Sequence, residues 1–321
     1  FDWYKKDTKG WLVTPPALAT IGTSPSSING GSITNKGIEL ALTWNDHAGD
    51  FKYSITATMA YNHNEVTEIA NDEKIIHGPA NVLTHGMSEI YRAQVGYPIG
   101  YFWGFQTDGV IQNQGEADAY NNSITSDPRP DPVVPGDFRF VDQNGDHIID
   151  DKDKVMLGDP HPDYNFGLQI NLEYKGFYFH FTGTGQAGMQ VAKSYRFWNS
   201  PWDNYTTDWL NRWHGEGTSN KYPRVTSAAN QNMLQMSDFY VEDADYFRIS
   251  NVTLGYDLSR LEGWPLAETR LYVQAKNLAV ITGYSGMDPE VGYGPDGWSS
   301  GIDIGQYPLS RTFLVGLSIN F

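Results

Sequence analysis

The chain has 321 residues, a net charge of −16 and no cysteine. That acidity argues against a nucleic-acid partner, whose phosphates need a basic surface, and the lack of Cys removes disulfides, thiolate metal sites and a Cys nucleophile. No apolar run reaches the roughly 18 residues of a transmembrane helix, but a barrel strand needs only about 9–11 residues and is apolar at every second one.

The opening "FDWYKKDTKGWLV" has no apolar h-region and reads as a chain already inside a strand, so Phe1 is expected to be an internal cut. Ile38, Leu40, Leu42 and Trp44 then share one face of an alternating strand. Phe51, Tyr53, Ile55, Ala57, Met59 and Tyr61 do the same, and Ile99, Tyr101, Trp103 and Phe105 follow. Alternation is clearest in Tyr164, Phe166, Leu168, Ile170, Leu172 and Tyr174, set against Asn165, Gly167, Gln169, Asn171 and Glu173. That strand is aromatic at both ends and aliphatic between, the pattern of lipid contact with interfacial girdles. Phe177, Phe179 and Phe181 come next, then Val252, Leu254, Tyr256 and Leu258, then Leu271, Val273 and Ala275. Between Phe247 and Val252 the parity slips, which predicts a bulge. The chain closes on Phe313, Val315, Leu317, Ile319 and Phe321, all of one parity.

With weaker strands near 1–12 and 88–95 this makes about ten strands of antiparallel sheet. The gaps 13–32, 63–87, 112–163, 188–245 and 279–310 are long, and those at 46–50, 96–98, 175–176 and 259–267 are short. The two kinds alternate. Outer-membrane barrels pair long extracellular loops with short periplasmic turns, so this order assigns a side to every connection. The fold class is all-β: a segment of a transmembrane β-barrel, one domain over residues 1–321. Its open edges predict either further strands before Phe1 or pairing with another chain.

"YPIGYFWGFQTDGVIQ" (97–112), "DQNGDHIIDDKDKVMLGDPHPDYNFGLQINLEYKGF" (142–177), "WLNRWHGEG" (209–217), "SDFYVEDADYFRISNVTLGYDLS" (237–259), "LYVQAKNLAVITGYSGMDPEV" (271–291) and "YPLSRTFLVGLSINF" (307–321) stand in an order and spacing that resembles the C-terminal barrel region of SusC/RagA-type TonB-dependent transporters. The resemblance implies a barrel of about 22 strands in the outer membrane, of which this chain is the C-terminal part. It implies a plug and a TonB-contacting segment in the N-terminal region, a SusD-like lipoprotein as lid, and import of oligosaccharide or peptide. It also implies that Phe313, Val315, Leu317, Ile319 and Phe321 form the assembly signal.

"DQNGDHIIDDKD" has the oxygen spacing of a calcium loop. Asp142, Asn144 and Asp146 stand at positions 1, 3 and 5, the Ile148 carbonyl at 7, Asp150 at 9 and Asp153 at 12. His147 replaces the turn glycine and Asp153 is shorter than the usual Glu, so an Asx-rich turn without metal is the alternative. Any calcium here is expected to be structural, and no organic cofactor is expected. "GTGQAG" (183–188) matches a dinucleotide loop, but that motif needs a following helix, and glycines on the lipid side of a strand account for it. Trp198, Trp202, Trp209 and Trp213 crowd one long loop, either as sugar platforms or as loop core. Tyr178, His180, Tyr272, Gln274 and Lys276 fall on the second face of their strands, where they line a solute path or contact the plug. No H-E-x-x-H, G-x-S-x-G or assignable carboxylate pair argues for catalysis. The rival reading is a secreted, calcium-stabilised β protein that binds or hydrolyses glycan.

Overall fold

The computed structural model describes residues 1–13, 28–129, 131–198, 200, 202–226 and 231–319. The chain opens as a meander of β1 (Asp2–Val13), β2 (Ile28–Ala48) and β3 (Phe51–Ile69). It then leaves the sheet for a long excursion that carries β4 (Ile75–His77), β5 (Tyr91–Gln94), β6 (Tyr101–Phe105), β7 (Thr107–Val110), the helix α1 (Gln114–Ser123), β8 (Phe138–Phe140) and β9 (Lys154–Gly158). It returns as β10 (Tyr164–Tyr174) and β11 (Phe177–Ala187), and departs for β12 (Gln190–Lys193) and β13 (Val241–Asp243). It comes back as β14 (Tyr246–Asp257) and β15 (Thr269–Thr282), departs for β16 (Ile302–Asp303), and closes with β17 (Thr312–Ile319).

The wall is an eight-stranded antiparallel sheet in the order β1-β2-β3-β10-β11-β14-β15-β17. Each strand pairs with its neighbour in the chain order of the wall, as a segment of an up-and-down barrel requires. The short connections lie at one end, where Ala48 pairs with Phe51 and Tyr174 with Phe177. Lys175 (φ 46) and Gly176 (φ 91) make the latter a two-residue turn with both residues in the left-handed region, the turn whose twist suits a hairpin. Every described excursion leaves from the opposite end.

Registers carry the alternation across the wall. One row reads Trp44, Ile55, Ile170, Phe181, Val252, Ala275 and Phe313 on seven successive strands. These side chains face away from the protein: Trp44 is 65% exposed, Phe313 70% and Val315 77%. A contiguous apolar face of this size has no place in water. It is flanked on one side by Phe51, Tyr174, Phe177 and Tyr256 and on the other by Tyr61, Tyr164, Phe166 and Phe247, in ring contacts of 4.6–6.4 Å. β10, with 11 residues, is about 33 Å long at the usual rise. Tilted by about 40°, it stands roughly 25 Å tall, the height of a barrel's apolar band. The parity slip predicted near Phe247 is a bulge: Asn251 opposes Thr182 and Ile249 opposes Gly183, leaving Ser250 without a partner in the ladder.

The segments 88–95 and 99–105 are not wall strands. β5 and β6 join β4 and β9 in a separate four-stranded sheet, so the wall holds eight strands where the alternation suggested ten. Tyr101, Phe102 and Phe105 are fully or almost fully buried. Their apolar faces meet protein, and a strand packed on a protein core shows the same period of two as one facing lipid. With these strands reassigned, the long–short order of the wall's connections persists.

The excursions fold together over one end of the wall as a cap with its own core. Leu83, Tyr91, Phe105, Phe138, Trp198, Trp209, Tyr240 and Ile302 belong to one buried cluster, none of whose buried members comes from a wall strand. Pairing of β12 with both β13 and β16 ties two excursions into one small sheet.

Candidate functional site

The second face of the wall is polar and internally bonded. Tyr178 and His180 on β11 and Tyr272, Gln274 and Lys276 on β15, expected to point inward, do share this face on the two strands that flank β14. His180 and Gln274 both oppose Thr253, and Lys276 opposes Asn251. His180 bridges Asn171 (2.6 Å) and Thr182 (3.0 Å), and the Gln274 amide donates to Asn251 Oδ1 at 2.7 Å. Thr43 and Thr56 (3.0 Å), Thr184 and Ser250 (2.9 Å), and Gln186 and Asn165 (2.8 Å) extend the pattern. Such a face can hold water or hydroxyl- and amide-bearing solutes, because its hydroxyl, amide and imidazole groups both donate and accept.

Two tyrosines of this face lie flat on glycines of the next strand. A Cβ built on Gly255 would fall within the Tyr178 ring, and one on Gly316 within the Tyr272 ring. The pairs are directly opposed in register, an arrangement in which the ring covers backbone that glycine leaves bare. The glycines of "GTGQAG" serve likewise on the apolar face, Gly183 beneath Phe247 and Gly185 beneath Phe166. β11 is followed by strand and loop, with no helix to receive a pyrophosphate, so the dinucleotide match is an accident of sheet packing.

The tryptophans divide. Trp198 is 6% exposed and packs on Trp209 at 4.6 Å, inside the cap core; Trp202 is 89% exposed. Neither joins the polar wall face. Of the proposed assembly residues, Phe313, Val315 and Leu317 lie on the exposed apolar face and Ile319 pairs with Thr269; Phe321 lies outside the described residues.

In the Asp142–Asp153 loop the carboxylates bind backbone. Asp142 accepts from the Gly145 and His147 amides at 2.7 and 2.9 Å, and Asp146 Oδ1 from Ile148 at 2.9 Å. The slight burial of Asp142 works against ionisation, but these amide bonds hold its carboxyl below the usual carboxylate range. Asp153 is fully buried, and both its oxygens are taken, by the Gln143 and Asp150 amides at 2.9 and 2.8 Å. Lys152 Nζ stands 3.9 Å from Asp146 and 3.6 Å from Asp150. Asn144 and Asp146 are exposed, whereas Asp153, at the bidentate position, is buried and committed to the backbone. Among the described residues no three His, Asp or Glu side chains converge on a common point.

Sequence reasoning missed the polar latches that close the cap. Asp303, 1% exposed, accepts from Tyr195 Oη at 2.6 Å, Tyr284 Oη at 2.7 Å and the Gly305 amide at 2.9 Å. Burial, reinforced by the bond to Asp303, pushes both phenols far above their ordinary range, so they remain donors at any physiological pH. Asp137, 4% exposed, accepts from Arg224 Nε at 2.6 Å and Asn232 Nδ2 at 2.7 Å. The Asp137 partners lie 87 and 95 residues away along the chain and Tyr195 lies 108 from Asp303, and no local motif signals such pairs.

No family profile matches the chain. TonB-dependent receptor P3 of Formosa agariphila is 29% identical over 331 residues, covering all of this chain and 32% of the receptor. TonB-dependent receptor SusC of Bacteroides thetaiotaomicron is 27% identical over 305 residues, covering 91% of this chain and 27% of SusC. The RagAB peptide transporter superposes with a TM-score of 0.72 at 19% identity, over 98% of this chain and 32% of the RagAB chain. The chain resembles part of a SusC/RagA-type TonB-dependent receptor. It spans about a third of the length of these relatives. They are receptors and transporters by name. On the RagAB fold the eight strands form part of a transmembrane barrel wall, which accounts for the exposed apolar face that a secreted soluble protein would leave in water.

Proposed function

We propose that this chain forms part of the wall and the extracellular cap of an outer-membrane importer driven through TonB. The observation that carries the reading is the two-faced wall: one face apolar, exposed and girdled by aromatics, the other polar, with every described excursion gathered at one end. The polar face lines the lumen, where Tyr178, His180, Tyr272, Gln274 and Lys276 contact the solute path or a plug supplied by the rest of the receptor. The cap is the extracellular surface on which a SusD-like lipoprotein docks, and Trp202, exposed on it, is a candidate solute platform. The solute is an oligosaccharide or a peptide; of the similar proteins, RagAB is named a peptide transporter. Phe313, Val315, Leu317, Ile319 and Phe321 serve in barrel assembly, and the Asp142–Asp153 loop is a structural calcium site of the cap.

Uptake decides the matter. Cells carrying the full-length receptor should accumulate labelled oligosaccharide or peptide, and should cease to do so when the receptor or TonB is deleted. Unchanged accumulation of both solute classes after deletion would overturn the importer reading.

A further inference from the structure

Within the cap, Trp198, Trp209, Tyr205 and Tyr222 surround a cavity of about 50 Å³ whose wall also holds Arg196. Arg196 stacks on Tyr205 at 4.0 Å and on Trp198 at 5.5 Å, and Lys221 lies over Tyr222 at 5.8 Å. The ring faces, which would otherwise attract a cation, are thus already served. Donors are left unmet. Arg196 Nε and Nη1 and Trp198 Nε1 are buried and find no acceptor among the described residues, and Trp198 is more than nine-tenths buried. Leaving a buried donor unpaired is costly, and more so when it is charged.

Charge points the same way. The cavity wall includes Lys193, Arg196 and Lys221 against Asp208 and Glu242. Lys193 and Glu242 neutralise each other at 2.8 Å. That leaves Arg196 and Lys221 facing Asp208 alone, an excess of one positive charge in a chain whose net charge is −16. Beside the cavity, and sharing Tyr205, Thr206 and Trp209 with it, runs a more apolar groove of about 410 Å³ that includes Leu210 and Val225. Leu210 is 74% exposed, so the groove opens to solvent.

We propose that the cavity receives the carboxylate of an acidic solute, with Arg196 and Trp198 as its donors, while the groove of Tyr205, Leu210 and Val225 holds the body. A void of this size admits a carboxylate or a few waters, not a sugar ring, so the head group enters and the remainder stays in the groove. The proposal rests on the importer reading for its biological sense but not for its chemistry. Its test is binding, which is separate from uptake.

Calorimetric titration of the full-length receptor in detergent with galacturonate and with the N-acetylated dipeptide acetyl-Leu-Leu, each compared with its neutral amide, provides that test. The expected result is that at least one acid binds about tenfold or more tightly than its amide. Trp198→Phe, which keeps the ring but removes the donor, and Arg196→Lys should each weaken the acid about tenfold and leave the amide unchanged, as loss of one charged hydrogen bond requires. The acid that responds identifies the source, an acidic glycan or a peptide C-terminus. Equal binding of acid and amide, full affinity in both variants, or no heat from either acid, meaning that water meets the donors, would each overturn the site. Binding without uptake would refute the importer and leave the site standing.

Discussion

Because the cap has a core separate from the wall, a cap mutation should melt one and spare the other, and Trp209→Ala tests this directly. Trp209 is 7% exposed and touches Trp198, Tyr222, Tyr205 and Phe239 at ring distances of 4.6, 5.4, 5.7 and 6.0 Å. All four partners belong to the second excursion, and Phe239 passes the contact on to Phe138 of the first at 5.3 Å. Truncating such a residue costs about 3–5 kcal/mol, a range that includes the loss of edge-to-face contacts. If the cap opens as a local unit, that free energy multiplies the population of its open form. Proteolysis within 188–245 should then accelerate by about 10²–10⁴-fold, provided that opening and closing are fast relative to cleavage. The assay is limited proteolysis of the full-length receptor in detergent, run beside the mobility of the unheated barrel in SDS gels. Cleavage at the wild-type rate, or loss of the folded barrel band together with the cap, would refute the separation of the two cores.

On the wall, Leu254→Arg should cost about 2–4 kcal/mol near the bilayer midplane, while His180→Arg on the opposite face should cost little; the yield of folded receptor from identical expression reports both. Gly255→Val should destabilise by driving a side chain into the Tyr178 ring, and Tyr178→Ala should recover part of the loss, so a double-mutant cycle in denaturant with no coupling would contradict the stacking. Glu242 supplies a pH dependence: burial raises its carboxyl, but bonds from Lys193 and Ser285 outweigh that and hold it below the ordinary value. Its contribution to cap stability is therefore present above the usual glutamate range and lost as pH falls through the lowered value, and Lys193→Met should flatten that acid limb in proteolysis–pH profiles. Calcium binding by the Asp142–Asp153 loop must turn Asp153 away from two amides, so the expected affinity is the weak extracellular class, with Kd about 10⁻⁴–10⁻³ M; calorimetry after chelation that shows no heat at millimolar calcium would remove calcium from the loop.

What was legible in the sequence, and what was not, follows the range of the forces involved. The wall was legible because its environment is uniform along each strand. Lipid on one side and polar lumen on the other impose a period of two that needs no knowledge of distant residues, so β10 was read residue by residue and the bulge at Ser250 was located to within a few positions. The same reasoning misplaced the strands around 88–105, because Tyr101 and Phe105 alternate as wall residues do but are buried in protein, Phe105 against Met236 and Phe140 from elsewhere in the chain. Parity reports that one face is apolar and is silent on whether lipid or protein covers it. The cap was illegible for a related reason: Trp198 and Trp202 lie four positions apart in one tryptophan-rich run, yet one is 6% and the other 89% exposed, a difference set by partners such as Thr84 that bind from 114 residues away. The Asp142 loop gave its spacing in sequence but not the direction of Asp153, which the helical turn at Asp151–Asp153 decides. The consequence is specific to this fold. The wall constrains sequence through a solvent common to all such barrels, so its strands announce the class of protein. In the proposed importer the solute is met by the cap and the lumen face, and the cap's geometry is assembled from segments up to about a hundred residues apart, so a single sequence points to the class of fold long before it points to a cargo.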